Sequence, residues 1–128
     1  MAKYILDTTV LIDHLRGRRE VVELITELAQ QGHQLGTCCV NIAELYAGLS
    51  DKEHNRANRL IEHLDYYEIS RGIAKLAGGY RFSFARQGVT LTTADTLVAA
   101  VAIDQDATLM TANARDYPMD GIKVIDQP

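Results

Sequence analysis

The chain has 128 residues, 13 Lys and Arg against 17 Asp and Glu for a formal net charge of −4, and 47% hydrophobic residues. These values predict one compact domain, residues 1–128, whose core needs no disulfide framework or structural metal. They exclude a disordered chain, and no run approaches the roughly 20 apolar residues of a membrane span. The acidic balance counts against a generic nucleic-acid binder, which usually carries a basic surface.

The two cysteines, Cys38 and Cys39, are adjacent, and neighbouring residues do not form a disulfide without unusual strain. Two free, buried thiols indicate a reducing compartment. The N-terminal sequence has no charged region followed by the apolar stretch and small-residue cleavage site of a secretory signal. We therefore expect a soluble, cytoplasmic protein.

The hydrophobic periodicity of the chain predicts strands that alternate with helices. The predicted strands are 4–6, 34–40, 66–69, 108–111 and 122–125, and the predicted helices are 10–15, 20–31, 42–49, 53–64, 71–87 and 93–105. Helix 53–64 is rich in charge and should face solvent, whereas helix 93–105 is apolar on nearly every face and should be central and buried. Gly78-Gly79 inside helix 71–87 predicts a kink or close packing. The alternation predicts an α/β fold with a mostly parallel sheet covered by helices on both faces.

Three acids lie in unusually apolar sequence, namely Asp7, Glu44 and Asp95. Charges in such surroundings are costly unless they are paired or bind a cation. Helix capping explains each acid equally well when it is considered alone. Asp7 precedes a helix, and both Asn41 to Glu44 and Thr92 to Asp95 have the spacing of a capping box.

A shared position in the fold favours a common site over three separate caps. If each acid follows a strand or lies in the first turn of the next helix, all three face the crevice where α/β folds bind ligands. Asp116, which follows strand 108–111, is a fourth candidate. Carboxylates in one crevice repel by about 4 kcal/mol per pair at 4 Å and an effective dielectric near 20. A hard cation such as Mg²⁺ or Mn²⁺ removes that repulsion and supports phosphodiester hydrolysis by an activated water.

Other reaction centres have little support in the sequence. The four histidines form no i, i+4 pair and have no cysteine at zinc spacing, so they are interpreted as surface or interface residues. No nucleophile elbow, phosphate-binding loop or dinucleotide-binding glycine pattern occurs. Two basic groups are candidates for holding phosphate, or are ordinary solvated helix faces. Their members are Arg16, Arg18 and Arg19, and then Arg71, Lys75, Arg81 and Arg86.

Four segments, in this order and spacing, resemble the PIN-domain nucleases, and among them the VapC-type toxins of toxin–antitoxin pairs. They are Tyr4-Ile-Leu-Asp7-Thr-Thr-Val-Leu-Ile-Asp13, Val40-Asn-Ile-Ala-Glu44-Leu-Tyr-Ala-Gly-Leu, Thr93-Ala-Asp95-Thr-Leu-Val-Ala-Ala and Leu109-Met-Thr111-Ala-Asn113-Ala-Arg-Asp116-Tyr. By this resemblance, Asp7, Glu44 and Asp95 match the acidic metal-site residues. Asn113 and Asp116 both match polar positions of the last motif; we take Asp116 as the fourth catalytic and metal-binding residue, and whether Asn113 replaces it stays open.

The resemblance implies a PIN-like three-layer α/β/α fold with a mostly parallel, roughly five-stranded sheet. It also implies an endoribonuclease that depends on Mg²⁺, with Mn²⁺ as a substitute, and acts on structured RNA such as tRNA. The implied partners are a second copy in a homodimer and a cognate VapB-type antitoxin, within a larger toxin–antitoxin assembly. One departure is visible, because Thr9 stands where the first motif usually has Asn or Ser. Its hydroxyl is expected to hold a carboxylate or a water.

Two alternatives remain at this point. One is a phosphatase or phosphotransferase with Asp7 as nucleophile, although Thr9 replaces the second acid of the usual Asp-x-Asp-x-Thr pattern. The other is a module that keeps the fold and binds a partner without cutting. The net charge does not argue against an RNA substrate, since removing the four candidate acids leaves 13 acids against 13 bases.

Overall fold

A computed structural model describes residues 1–127, so Pro128, the last residue of the predicted domain, lies outside the described residues. The strands are β1 Lys3–Leu6, β2 Gln34–Cys38, β3 Asp65–Tyr67, β4 Thr108–Thr111 and β5 Lys123–Asp126. The helices are α1 Thr8–Leu15, α2 Arg19–Gln30, α3 Cys39–Ala47, α4 His54–Glu62, α5 Arg71–Ala85 and α6 Thr93–Asp104. Short 3-10 helices at Asp51–Glu53 and Ala114–Asp116 precede α4 and follow β4.

The five strands form one parallel sheet in the order β3-β2-β1-β4-β5. Tyr4 of β1 lies opposite Leu35 of β2 on one side and Thr108 of β4 on the other. The chain first builds outward from β1 through β2 to β3, and later returns to place β4 on the opposite side of β1. The crevice beyond the ends of β1 and β4 is therefore the topological switch point, where open α/β sheets bind ligands.

The two central strands are buried on both faces, as their apolar sequences predict. Ile5 and Leu109 face a cluster formed with α5 and α6, whereas Leu6 and Met110 face a second cluster that includes residues of α1, α2, α3 and α4. All four side chains are fully buried. Alternate residues of a strand point to opposite faces, so each central strand contributes to both clusters. The predicted α/β fold, with helices on both faces of a five-stranded parallel sheet, is confirmed.

Helix α6 is the central buried helix that its composition predicts. Residues 98–102 are all at most 1% exposed, and these three alanines and two valines contribute small side chains to tight packing against α5 and the sheet. Among the described residues, no helix is long and apolar enough to cross a membrane.

Three local expectations differ from the structure. Helix α3 begins at Cys39, directly after β2, with Cys38 as an N-cap that makes no side-chain cap bond. The predicted capping box from Asn41 to Glu44 is therefore wrong, because Asn41 already lies inside the helix. The prediction of two buried thiols is half wrong, since Cys38 is buried and Cys39 is exposed at the helix start.

The glycine pair in α5 is not a site of close packing. A Cβ atom added at Gly78 or Gly79 would meet nothing within 4 Å, and α5 runs through both residues as one helix. The pair is exposed, so the sequence pattern reflects an open helix surface.

Candidate active site

Asp7 follows β1 at the switch point and is the N-cap of α1. The residue is 7% exposed, and its carboxylate accepts four hydrogen bonds, two on each oxygen. Oδ1 accepts from the Thr8 backbone N–H at 2.9 Å and from the Asn41 side-chain amide at 3.2 Å. Oδ2 accepts from the Thr111 hydroxyl at 2.7 Å and the Tyr117 hydroxyl at 3.1 Å. A carboxylate has about four lone-pair positions, so donors of the protein fill them all.

Asp7 both caps helix α1 and belongs to the candidate site. Only Oδ1 serves the helix, through the Thr8 N–H, whereas Oδ2 accepts from Thr111 and Tyr117 on the far side of the switch point. The predicted cap is therefore present and accounts for one quarter of the hydrogen bonds that this carboxylate accepts.

Asp95 lies in the first turn of α6, as the sequence pattern predicts. Its backbone N–H donates to the hydroxyl of the N-cap residue Thr92 at 3.0 Å. The Tyr117 hydroxyl is 3.1 Å from Asp7 Oδ2 and 3.4 Å from Asp95 Oδ1, and so it links the two carboxylates. Burial raises the pKa of Asp95, and the negative charges of Asp116 and Asp7 raise it further. Three of the four candidate acids therefore interact electrostatically in the absence of a cation.

Tyr117 keeps its proton in this setting. Burial and the charges of Asp7 and Asp95 all raise the pKa of the phenol. A protonated phenol has one hydrogen, so it serves the two carboxylates as a donor.

Glu44 reaches the same cluster from the solvent side. It lies in the second turn of α3 because that helix starts early, and its exposed carboxylate accepts from the Thr8 hydroxyl at 2.7 Å. The Thr8 hydroxyl in turn accepts from the Asn41 amide at 3.3 Å. Glu44 is thereby connected to Asp7 through Thr8, whose backbone N–H donates to Asp7 and whose hydroxyl donates to Glu44.

Asn41 is a site residue that the sequence argument did not identify. It is fully buried, and its amide donates to both Asp7 and Thr8. Its side-chain oxygen accepts from the Thr37 hydroxyl at 3.3 Å and from the Cys38 thiol at 3.4 Å. The available signal was the same one that identified the acids, a polar residue within an apolar segment.

The segment after β4 contributes three further polar groups. Asp116 is exposed and affects Asp95 through its charge, whereas the Asn113 backbone N–H donates to the Thr111 hydroxyl at 3.0 Å. The Thr9 hydroxyl accepts from the Ala112 backbone N–H at 3.2 Å. Thr9 thus joins the start of α1 to the backbone after β4, and the expectation that its hydroxyl holds a carboxylate or a water stays a prediction.

The donor chemistry of this site fits a hard divalent cation. Within residues 1–127, none of the four candidate acids forms a salt bridge, and no three or more acidic, histidine or cysteine side chains are grouped closely enough to hold a metal ion together. Mg²⁺ commonly binds only one or two carboxylates and completes its shell with water and phosphate oxygens. Asp7 and Asp95, linked at the switch point, match that requirement.

The candidate phosphate-binding cations have different surroundings. Arg18 and Arg19 each form an exposed ion pair with a nearby acid, and such pairs are weak. Arg81 instead donates to the Leu91 carbonyl at 2.9 Å and to the Thr93 hydroxyl at 2.8 Å. Arg81 therefore fixes the start of α6, the helix that carries Asp95.

Comparison with known proteins agrees with this architecture. A family model of the PIN domain matches residues 4–120. The chain is 31% identical over 117 residues to ribonuclease VapC19 of Mycobacterium tuberculosis, covering 90% of this chain and 92% of that relative. It is 30% identical over 115 residues to ribonuclease VapC10 of the same organism, covering 90% and 86%.

Solved structures show the same fold at lower identity. The DNA-bound VapBC structure from Salmonella typhimurium aligns with a TM-score of 0.86 at 21% identity, covering 100% of both chains. VapBC2 from Rickettsia felis, bound to a DNA fragment from its promoter, aligns with a TM-score of 0.85 at 20% identity, covering 98% of this chain and 99% of that one.

Proposed function

We propose that this chain, which belongs to the PIN-domain family, is a metal-dependent endoribonuclease and the toxin of a toxin–antitoxin pair. The observation that carries the proposal is the pair of carboxylates, Asp7 and Asp95, linked by one hydroxyl at the switch point of the sheet. The ribonuclease names of the relatives support the reaction class. The substrate is RNA, with tRNA as the first candidate.

Asp7 and Asp95 are the residues that would hold Mg²⁺ or Mn²⁺, with Glu44 and Asp116 at the rim. When bound, the cation lowers the pKa of a water and stabilises charge on phosphate oxygens. Asp7 is fixed by four donors, which gives the site one rigid carboxylate. Glu44 is exposed and has one hydroxyl donor, so it is the carboxylate best placed to accept a proton from the attacking water.

The electrostatics predict how the substrate binds. Four acids around one crevice repel a phosphodiester until a cation neutralises part of their charge. The remainder of the chain is balanced, with 13 acids and 13 bases. We therefore expect RNA affinity to require both a divalent cation and the arginines, and equal affinity in excess chelator contradicts this.

The central test is Asp95→Asn, which removes the charge and keeps the side-chain shape. The variant should fold and lose Mg²⁺-dependent cleavage of RNA. The matched control is Asp104→Asn, at the exposed C-terminal end of the same helix, which should cleave like the wild type. Full cleavage by Asp95→Asn overturns the assignment.

The partners are a VapB-type antitoxin and a second copy of this chain. Solved neighbours are VapBC assemblies, which supports the first. Expression with and without the adjacent reading frame, with mapping of cleaved RNA ends, tests it, since the neighbour should relieve toxicity in the cytoplasm. For the homodimer, exposed apolar side chains such as Phe82, 64% exposed, are the first positions to substitute while the oligomeric state is measured.

The structure weighs against Asp7 as a covalent nucleophile. Asp7 is 7% exposed, and each oxygen of its carboxylate accepts two hydrogen bonds, which stabilise the charge that a covalent attack would use. A phosphoryl or beryllofluoride adduct at Asp7 would reverse this ranking. Absence of cleavage across many RNAs with Mn²⁺ would instead favour a binding module.

A further inference from the structure

We propose that in the metal-free protein the Tyr117 hydroxyl donates its hydrogen to the Asp7 and Asp95 oxygens that hold the cation, and that cation binding displaces this hydrogen while the phenol oxygen stays in place. This inference rests on the proposed metal site. The hydroxyl oxygen lies 3.1 Å from Asp7 Oδ2 and 3.4 Å from Asp95 Oδ1, and one hydrogen serves both acceptors. The hydroxyl hydrogen carries a partial positive charge, and this charge offsets part of the repulsion between the two carboxylates.

A cation that binds Asp7 needs a lone pair on a carboxylate oxygen, and every such lone pair already accepts a hydrogen bond. Two donors are bound on each carboxylate oxygen, so one of the four must withdraw. The Thr8 N–H belongs to the backbone at the start of α1 and does not move independently. The Asn41 amide and Thr111 hydroxyl are on fully buried side chains that make further hydrogen bonds.

Tyr117 is the donor that can withdraw at the lowest cost. Its hydrogen bonds are shared between two acceptors, and its ring follows the short 3-10 helix Ala114–Asp116 in the connection from β4 to β5. Rotation of the hydrogen about the phenol C–O bond frees an oxygen of either carboxylate while the ring, 5% exposed, stays packed.

The hydroxyl therefore has opposite effects on the two states. In the metal-free protein it offsets repulsion between two partly buried carboxylates. Cation binding breaks the hydrogen bond from the Tyr117 hydroxyl, and the free energy lost with that hydrogen bond weakens metal binding. Tyr117 consequently lowers the apparent metal affinity and stabilises the metal-free fold.

Tyr117→Phe tests this because it removes the hydroxyl and keeps the ring. Mn²⁺ binding to the metal-free protein is measured by titration calorimetry and by electron paramagnetic resonance. The dissociation constant should fall by about tenfold, the size expected for one hydrogen bond to a charged group. The Tm should fall in chelator, and saturating Mn²⁺ should reduce that difference.

The matched control is Tyr67→Phe. Tyr67 has a buried hydroxyl with no hydrogen-bond partner in the described part of the chain, so its removal should leave Mn²⁺ affinity unchanged. Unchanged or weaker Mn²⁺ binding by Tyr117→Phe overturns the inference and leaves the proposed function intact; weaker binding would make Tyr117 a positioning residue. Absence of Mn²⁺ binding by the wild type overturns both.

A measurement on the wild type covers the case in which Tyr117→Phe fails to fold. With ¹³C-labelled tyrosine, the Cζ resonance of Tyr117 should shift when Mg²⁺ is added, because its hydrogen-bond acceptors change. The Tyr67 resonance serves as the internal reference and should stay in place. A Tyr117 resonance that does not respond while Mg²⁺ binds refutes displacement.

Discussion

Asn41→Ala is the substitution that most directly tests how the fold holds the buried carboxylate. Asn41 is 0% exposed, and its amide supplies one of the two donors on Asp7 Oδ1. A hydrogen bond to a charged group contributes about 1.5–3 kcal/mol, and each neutral one about 1 kcal/mol. Because the Thr37 hydroxyl and the Cys38 thiol also lose their acceptor, we expect the free energy of unfolding to fall by about 3–5 kcal/mol.

Urea unfolding in chelator measures this loss, and a double-mutant cycle with Asp7→Asn isolates the part that depends on the carboxylate. The expected coupling energy is about 1.5–3 kcal/mol, the contribution of the Asn41 to Asp7 hydrogen bond. Leu45→Ala is the matched control, since Leu45 lies one turn further along α3 and is 1% exposed. It should lose a comparable 2–5 kcal/mol as a core truncation.

The two variants differ in their coupling to Asp7. Leu45 donates no hydrogen bond to that carboxylate, so Leu45→Ala and Asp7→Asn should be additive to within about 0.5 kcal/mol. If Asn41→Ala is equally additive with Asp7→Asn, the amide does not stabilise the carboxylate and the reasoning fails.

Three further outcomes are expected. The folded protein holds the Asp95 proton more tightly than the unfolded chain, so protonated Asp95 stabilises the fold fully below its ordinary pKa of 3.8, and this stabilisation is lost as pH rises through the raised pKa. Urea midpoints measured across pH in chelator should fall in this range for the wild type and not for Asp95→Asn. Parallel pH curves for the two proteins contradict the prediction. Gly36→Ala places a Cβ against the Tyr67 ring and should cost about 1–3 kcal/mol in thermal melts, whereas Gly79→Ala, in open space, should not destabilise. Thr92→Ala removes the cap of α6 and should cost about 1 kcal/mol of unfolding free energy, a loss that urea titration resolves.

The fold was largely predictable because its signals are local. The apolar run ending at Leu6 and the all-round apolar pattern of residues 93–105 need no tertiary information to indicate a central strand and a buried helix. The start of α3 was missed for a physical reason: Cys38 caps the helix without a side-chain hydrogen bond, so no capping residue marks the boundary. The sequence pattern therefore places the cap at Asn41, the first polar residue after the two cysteines.

The site was predictable only in its charged members. Asp7 and Asp95 stand out because a charge in apolar sequence is costly, and that cost is visible in a single sequence. Asn41 and Thr111 are neutral, so the same signal, a polar residue within an apolar segment, is weaker for them than for the acids. Tyr117 was missed because most tyrosines in such positions serve packing, and only the tertiary structure shows that its hydroxyl lies between two carboxylates.

The placement of these donors explains how the protein keeps a buried acid without a cation. Burying an ionised carboxylate is costly unless hydrogen bonds replace its water. The four donors to Asp7 come from the start of α1, from α3, from the end of β4 and from the connection to β5. The carboxylate consequently joins chain segments on both sides of the switch point, and it contributes to folding as well as to the site. Substitutions of its donors should therefore change stability and metal binding together. A substitution of Glu44, which is exposed and is not one of these donors, should change metal binding and leave stability unchanged.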